Sequence, residues 1–245
     1  MIYNGNYNEF YKELFNLIDE KYKDETQFER HRKIINVPRE EIIGLKIPPM
    51  KKIAQEIAKD NWKNFLNEKR NNTYEEKLIR GLVIGYVKED YNNLEKYIEE
   101  FFKNDVDNWA ICDSAISNLK IIKKNRKEYF KLITGYMDSN NPWEVRVLLV
   151  SLLNYYIDHE YIYELIEICK KVKNQHYYVK MALAWLISIM FIKKREETLK
   201  FLQEEKYNLD TWTYNKALQK ITESFRVTKE DKDLIRSMKI KTSKI

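Results

Sequence analysis

Signals that begin a helix recur along this chain about every 34 residues, and that beat constrains the fold more than any other feature. Thr73, Asp107 and Asn141 are 34 residues apart. Asp210 follows Asn141 after 69 residues, two steps of the same beat, with the intermediate step near Gln175. All four are residue types whose side chains accept hydrogen bonds from the free N–H groups of a first helical turn. Thr73 with Glu76 reads as a capping box ahead of the apolar run 78–87. Asp107 or Asn108 serves a helix starting at Trp109. Pro142 and Glu144 follow Asn141 where a first turn favours proline and a carboxylate. Large aromatics keep time as well, with Trp109 and Trp143 34 residues apart, and Tyr178 and Trp212 also 34 apart.

Between these starts the apolar spacing predicts second helices over 91–102, 126–137, 160–172 and 196–205. Each unit of about 34 residues is then a pair of helices. One pair cannot bury its own apolar face, so pairs of fixed period stack on their neighbours. The expected architecture is all-α: a right-handed solenoid of HEAT-like helix pairs, with an irregular bundle of helices as the competing arrangement. A single domain over 1–245 is expected, with irregular helices over 1–70 and regular repeats over 73–240. In the irregular part, Tyr7, Phe10, Tyr11, Leu14, Phe15 and Ile18 mark one face of a helix over 7–22. A second helix covers 27–35, a loop 36–47, and a helix starts at Pro48-Pro49 and runs to about residue 59. Asn61 caps a short helix bearing Trp62, Phe65 and Leu66.

Composition agrees with helices and removes several function classes. Only 5 Gly and 4 Pro occur, too few for the turns of a sandwich or a doubly wound sheet. Charged residues at 33%, interleaved with Leu, Ile and aromatics, suit amphipathic helices and not disorder. No apolar run reaches the roughly 18–20 residues that cross a bilayer, and the first ten residues lack the apolar core of a secretory signal. Two cysteines 57 positions apart and three scattered histidines make neither a disulfide framework nor a zinc site. A cytoplasmic protein with reduced thiols, no metal and no membrane association is expected. The net charge of +6 permits a nucleic-acid partner without establishing one.

The row of helices beginning at Trp109, Trp143 and Tyr177 carries the residues that could do chemistry. Trp109 and Asp113 stand at i and i+4 and share a helix face. Arg146 lies 34 residues after Cys112, and Lys180 a further step along. Asp113, Arg146 and Lys180 make that row polar where a packing ridge is apolar. Two readings stay open here. Either Asp113 is a functional carboxylate beside an aromatic, or Trp109, Trp143 and Trp185 are core and Asp113 is a buried acid paired with Arg146.

These residues resemble the DNA alkylation repair family of HEAT-repeat glycosylases, the AlkD-like proteins. Over nearly the whole chain the likeness takes in Ile43-Gly44-Leu45-Lys46-Ile47-Pro48, Trp109 with Asp113, Arg146 in the helix after Trp143, and Trp185. The resemblance implies a DNA glycosylase that excises cationic N3- or N7-alkylated purines from duplex DNA while the lesion stays in the stack. It implies Asp113 as the catalytic carboxylate, Trp109 and Trp185 as aromatics at the deoxyribose, and Arg146 and Lys180 as phosphate contacts. No cofactor and no metal are implied, and a monomer acting on alkylated duplex DNA is expected. The alternatives are a non-catalytic relative that binds another nucleic-acid structure or a protein, and a plain helical scaffold.

Overall fold

The computed structural model describes residues 3–68 and 72–241; those parts of the expected 1–245 domain at 1–2, 69–71 and 242–245 lie outside the described residues. Among the described residues, fourteen α-helices together with three short 3-10 turns make up 71%, and no strand occurs. The chain divides into two units, Met1–Asn125 and Arg126–Ile245.

In the first unit, Asn6 accepts from the N–H groups of Asn8 and Glu9 and opens α1 (Tyr7–Phe15). The apolar positions of α1 bury Tyr7, Phe10 and Leu14. Phe10 meets Phe65 edge-on at 5.1 Å and Tyr3 at 5.9 Å, and Tyr3 lies 5.2 Å from Phe65. Such pairs add about 0.5–1.5 kcal/mol each beyond their area. The apolar spacing carries the expected helix to residue 22, but α1 ends at Phe15. Asp19 is the reason: its N–H donates to the Gly44 carbonyl and its carboxylate accepts from Lys21, which starts a separate 3-10 turn, Glu20–Lys23.

Helix α2 (Glu25–Ile35) ends on Asn36 in the left-handed region at φ 57°. The expected loop contains one 3-10 turn, Arg39–Glu41, and α3 (Ile47–Ile57) starts at the proline pair. The short α4 (Trp62–Asn67) has Asn61 in the cap position, but the Asn61 side chain makes no cap bond. Helix α5 (Tyr74–Tyr86) follows, then α6 (Tyr91–Asn104), α7 (Trp109–Asn118) and a 3-10 turn, Lys120–Lys124. Thr73 occupies the cap position of α5 without making a side-chain cap bond, so its half of the expected capping box is missing. Thr73 and the whole first turn of α5 lie inside the unit.

Helix α5 is the axis of this unit. It packs on both α3 and α7 and also supports α6. It brings charges into the interior and satisfies them there. The Glu75 carboxylate accepts from the backbone N–H groups of Ile43, Gly44 and Leu45 at 2.9, 2.7 and 3.1 Å. Gly44 sits at φ 107°, a conformation that admits little but glycine. Burial pushes the Glu75 carboxyl up, against the three donors that favour its ionised form. Arg80 donates to the Phe65 and Leu66 carbonyls at the end of α4 and faces Asp105 at 3.7 Å.

The second unit holds α8 (Arg126–Thr134), α9 (Pro142–Tyr155), α10 (Ile162–Lys171), α11 (Tyr177–Lys193), α12 (Arg195–Glu204), α13 (Thr211–Glu223) and α14 (Lys229–Ser237). Helix α11 is apolar along nearly its whole length and lies between α9 and α13. Helix α8 packs on α9, α12 on α10 and α11, and α14 on α13. Asn141 accepts from Trp143 N–H and Asp210 from Thr213 N–H, the caps that their positions predict. Helix α14 is not among the expected helices, although Thr228 accepts from Asp231 N–H at its start.

Candidate functional site

Helix α7 begins on Asn108. Its Oδ1 accepts from Ala110 N–H at 2.7 Å, and its amide donates to the Ile35 carbonyl at the end of α2. One buried side chain thus starts α7 and ties it to a segment 73 residues earlier. Lys77 adds a tie from α5, with its ammonium 2.5 Å from Asp107. At the far end of α7, a β-carbon on Gly85 would stand 2.8 Å from the Asn118 carbonyl oxygen. Glycine there lets α5 and α7 approach until the Asn118 amide donates to Leu82 O at 3.2 Å.

Held in this way, α7 turns Ala110, Ile111, Cys112, Ala115 and Ile116 inward. Trp109 and Asp113 remain half-exposed on one face, as their i, i+4 spacing predicts. Asp113 is therefore not an acid sealed inside the core.

The other three candidates lie in the second unit. Arg146, on α9, is buried at 5% exposure and donates from Nη1 to the Tyr178 carbonyl at 2.7 Å. Its guanidinium stands 6.0 Å from the Tyr178 ring centre. Lys180, on α11, is half-buried, with its ammonium 2.9 Å from Asp210 and 5.2 Å from the Trp212 ring centre. Burial raises the Asp210 carboxyl, but Lys180 and the N–H and hydroxyl of Thr213 outweigh it and hold it below its ordinary range. Trp185 is half-exposed in a helix that is otherwise largely buried. The structure thus puts Trp109 with Asp113 on one helix, and ties Arg146 and Lys180 each to the next helix along.

Residues 11–221 match the model of the DNA alkylation repair enzymes. The chain belongs to the DNA alkylation repair enzyme family. The match takes in α7, α9, α11 and α13, and every candidate residue above. Helix α14 lies beyond it. No curated protein and no solved structure matches the chain. Membership implies DNA repair and an interaction with DNA. Among the described residues, no helix is long and apolar enough to cross a membrane, and no group of three or more His, Cys, Asp or Glu could hold a metal ion.

Sequence reasoning missed two features around this site. The Glu75 carboxylate, which anchors residues 43–45, carries no local signal beyond an acid at the start of a helix. The Asn108 tie to Ile35 is equally silent, because the cap role alone accounts for an asparagine there. The aromatics at the starts of α9, α11 and α13 were legible as a beat but not as a group in contact.

Proposed function

We propose that this member of the family is a DNA glycosylase that releases cationic N3- or N7-alkylated purines from duplex DNA without flipping the base. The observation that carries the reading is the half-exposed Trp109–Asp113 face of α7, within the family match. An alkylated purine already bears the positive charge that makes it a leaving group, so no general acid is required. As the glycosidic bond lengthens, charge develops on the sugar. The Asp113 carboxylate stabilises that cation and positions the attacking water, a preorganised electrostatic effect. Trp109 and Trp185 pack against the deoxyribose. Arg146 and Lys180 hold phosphates, which fix the duplex without reading its sequence. Ala110 and Cys112 both lie on the buried side of α7, so neither adds to the face that would meet DNA.

The fold proposed to present this face is a single HEAT-like solenoid of roughly 34-residue pairs. The starts of α5, α7, α9, α11 and α13, at Tyr74, Trp109, Pro142, Tyr177 and Thr211, support it. So does the side-by-side packing of α3, α5 and α7 in one unit and of α9, α11 and α13 in the other. The protein is proposed to act as a cytoplasmic monomer.

The test is incubation with duplex DNA treated with a methylating agent, with released purine measured by chromatography. Release of N3- or N7-methylpurine supports the reading. Binding to the duplex with no release moves the chain to the non-catalytic members of the fold.

A further inference from the structure

Five rings in the second unit form one continuous chain along the leading ends of α9, α11 and α13. Trp143 stands 5.7 Å from His176 and 5.3 Å from Tyr178 between ring centres. Tyr178 stands 5.2 Å from Tyr177, and Tyr177 stands 5.7 Å from Trp212. A chain of rings in a core is buried, whereas here Tyr177 is 55% and Trp212 37% exposed.

Cations are interleaved with the rings. The ammonium groups of Lys180 and Lys216 lie 5.2 and 5.5 Å from the Trp212 ring centre. Burial presses the Lys220 ammonium below the ordinary lysine range; Glu223 opposes this, and Lys216 and Arg146 add to it. Past Trp212 a cleft of about 650 Å³ opens between α13 and α14, and Lys239 lines it together with Lys216. Acids near this surface have partners: Asp210 holds Lys180, Glu144 accepts from Ser139, Glu223 accepts from Gln219, and Asp233 pairs with Arg236.

Exposed rings flanked by cations match an unpaired strand, whose bases offer flat faces and whose phosphates call for positive charge. A duplex keeps its base faces inside its own stack and presents phosphates, which gives Tyr177 and Trp212 nothing to stack on. We propose that this aromatic row binds single-stranded DNA, with unstacked bases seated on Tyr177 and Trp212 and phosphates on Lys216 and Lys239. The proposal rests on the reading above only in taking DNA as the polymer. It adds a second mode of contact, partly built from Lys239, which lies just past α14 and outside the family match.

The test uses the full chain at about 50 mM salt, where phosphate contacts are strong. The probe is a 15-mer of thymidylate, followed by anisotropy and by tryptophan fluorescence. We expect the oligomer to bind and to quench part of the signal of the 5 tryptophans. An abasic oligomer of equal length should bind more weakly and without quenching. Trp212→Leu should remove the quenching and weaken binding about five- to a hundredfold, the range of one lost base–ring stack. Trp212→Phe should restore most of the binding, and Tyr177→Ala should weaken it again. Circular dichroism and thermal midpoints close to wild type keep folding out of these comparisons. Equal binding of the thymidylate and abasic oligomers, or unchanged binding by Trp212→Leu, overturns the proposal. So does a blunt duplex that quenches Trp212 as strongly as the single strand, or a uridylate oligomer that binds tighter than the thymidylate. Purine release from methylated duplex, measured on the same proteins, separates the two readings. Base-dependent binding without release leaves the strand site standing and removes the glycosylase. Release without base-dependent binding does the reverse.

Discussion

Asp113 carries the chemistry in the proposed reaction, and at the scale of one residue it gives the clearest prediction. Asp113→Asn keeps the shape and removes the charge. The position is half-exposed on α7, so the fold should hold. Binding to duplex should be unchanged or tighter, because a negative charge facing phosphates is gone. Excision should fall about 10²–10³-fold under single-turnover conditions, the usual loss for one preorganised electrostatic partner. Wild-type excision rates in this variant would remove Asp113 from the mechanism. A second residue reports on acid stability. His31 stacks on Tyr22 at 4.6 Å, and burial, then the nearby Lys21, holds its imidazolium below the ordinary histidine range. The neutral ring is the folded form. The unfolded chain takes up the proton first as pH falls below about 6.5, so stability should drop from there and level off below the folded value. His31→Phe should flatten that limb of a denaturation midpoint plotted against pH. A limb unchanged in the variant assigns the acid sensitivity to another group.

At the scale of elements, the contact between α5 and α7 is decided by Gly85. Gly85→Ala gains about 1 kcal/mol of helix propensity. It also drives a β-carbon to 2.8 Å from the Asn118 carbonyl oxygen, and backbone cannot yield as a flexible side chain does. Overpacking of that kind costs about 1–3 kcal/mol, and loss of the Asn118–Leu82 bond about 1 more. The variant should unfold at lower denaturant, and excision should suffer with it because α7 carries Trp109 and Asp113. An equal or higher midpoint would mean that α7 slides without cost. Elements of this kind were partly legible in advance. The starts of α7, α9 and α13 followed from Asn108, Asn141 and Asp210, because a cap is a local event between a side chain and the next turn. The face shared by Trp109 and Asp113 followed from helical geometry. What sequence could not give was set by distance along the chain. Thr73 sits at its cap position without making the cap bond, α1 stopped short because Asp19 bonds to Gly44, and Glu75 found its partners 30 to 32 residues away. Helix α14 was missed although its Thr228 cap is local.

At the scale of the whole molecule, charge is the property that a DNA partner senses first. The chain carries 44 basic and 38 acidic residues, a net charge of +6. That excess is modest, so association must come from where the cations stand and not from their sum. Arg146 and Lys180 are each tied to the next helix, the first to the Tyr178 carbonyl and the second to Asp210. At the half-buried Lys180 the tie holds the cation at a fixed position and lowers the entropy lost when a phosphate arrives, while Asp210 subtracts from the field that the phosphate meets; Arg146, 5% exposed, adds its charge from below the surface. A duplex neutralised at about four phosphates releases its condensed counterions with a logarithmic salt slope near −3.6. Raising salt from about 50 to 200 mM should then weaken binding roughly a hundredfold. Lys180→Ala should reduce the slope by close to one unit and weaken binding at low salt, while the single-turnover rate at saturating protein changes little. In the proposed reaction the cations act on binding and the carboxylate on the bond that breaks, so the two classes of variant should separate cleanly on a plot of affinity against rate. Affinity indifferent to salt over this range would contradict a phosphate-gripping surface. A Lys180→Ala rate that falls as far as that of Asp113→Asn would place the lysine at the reacting sugar instead.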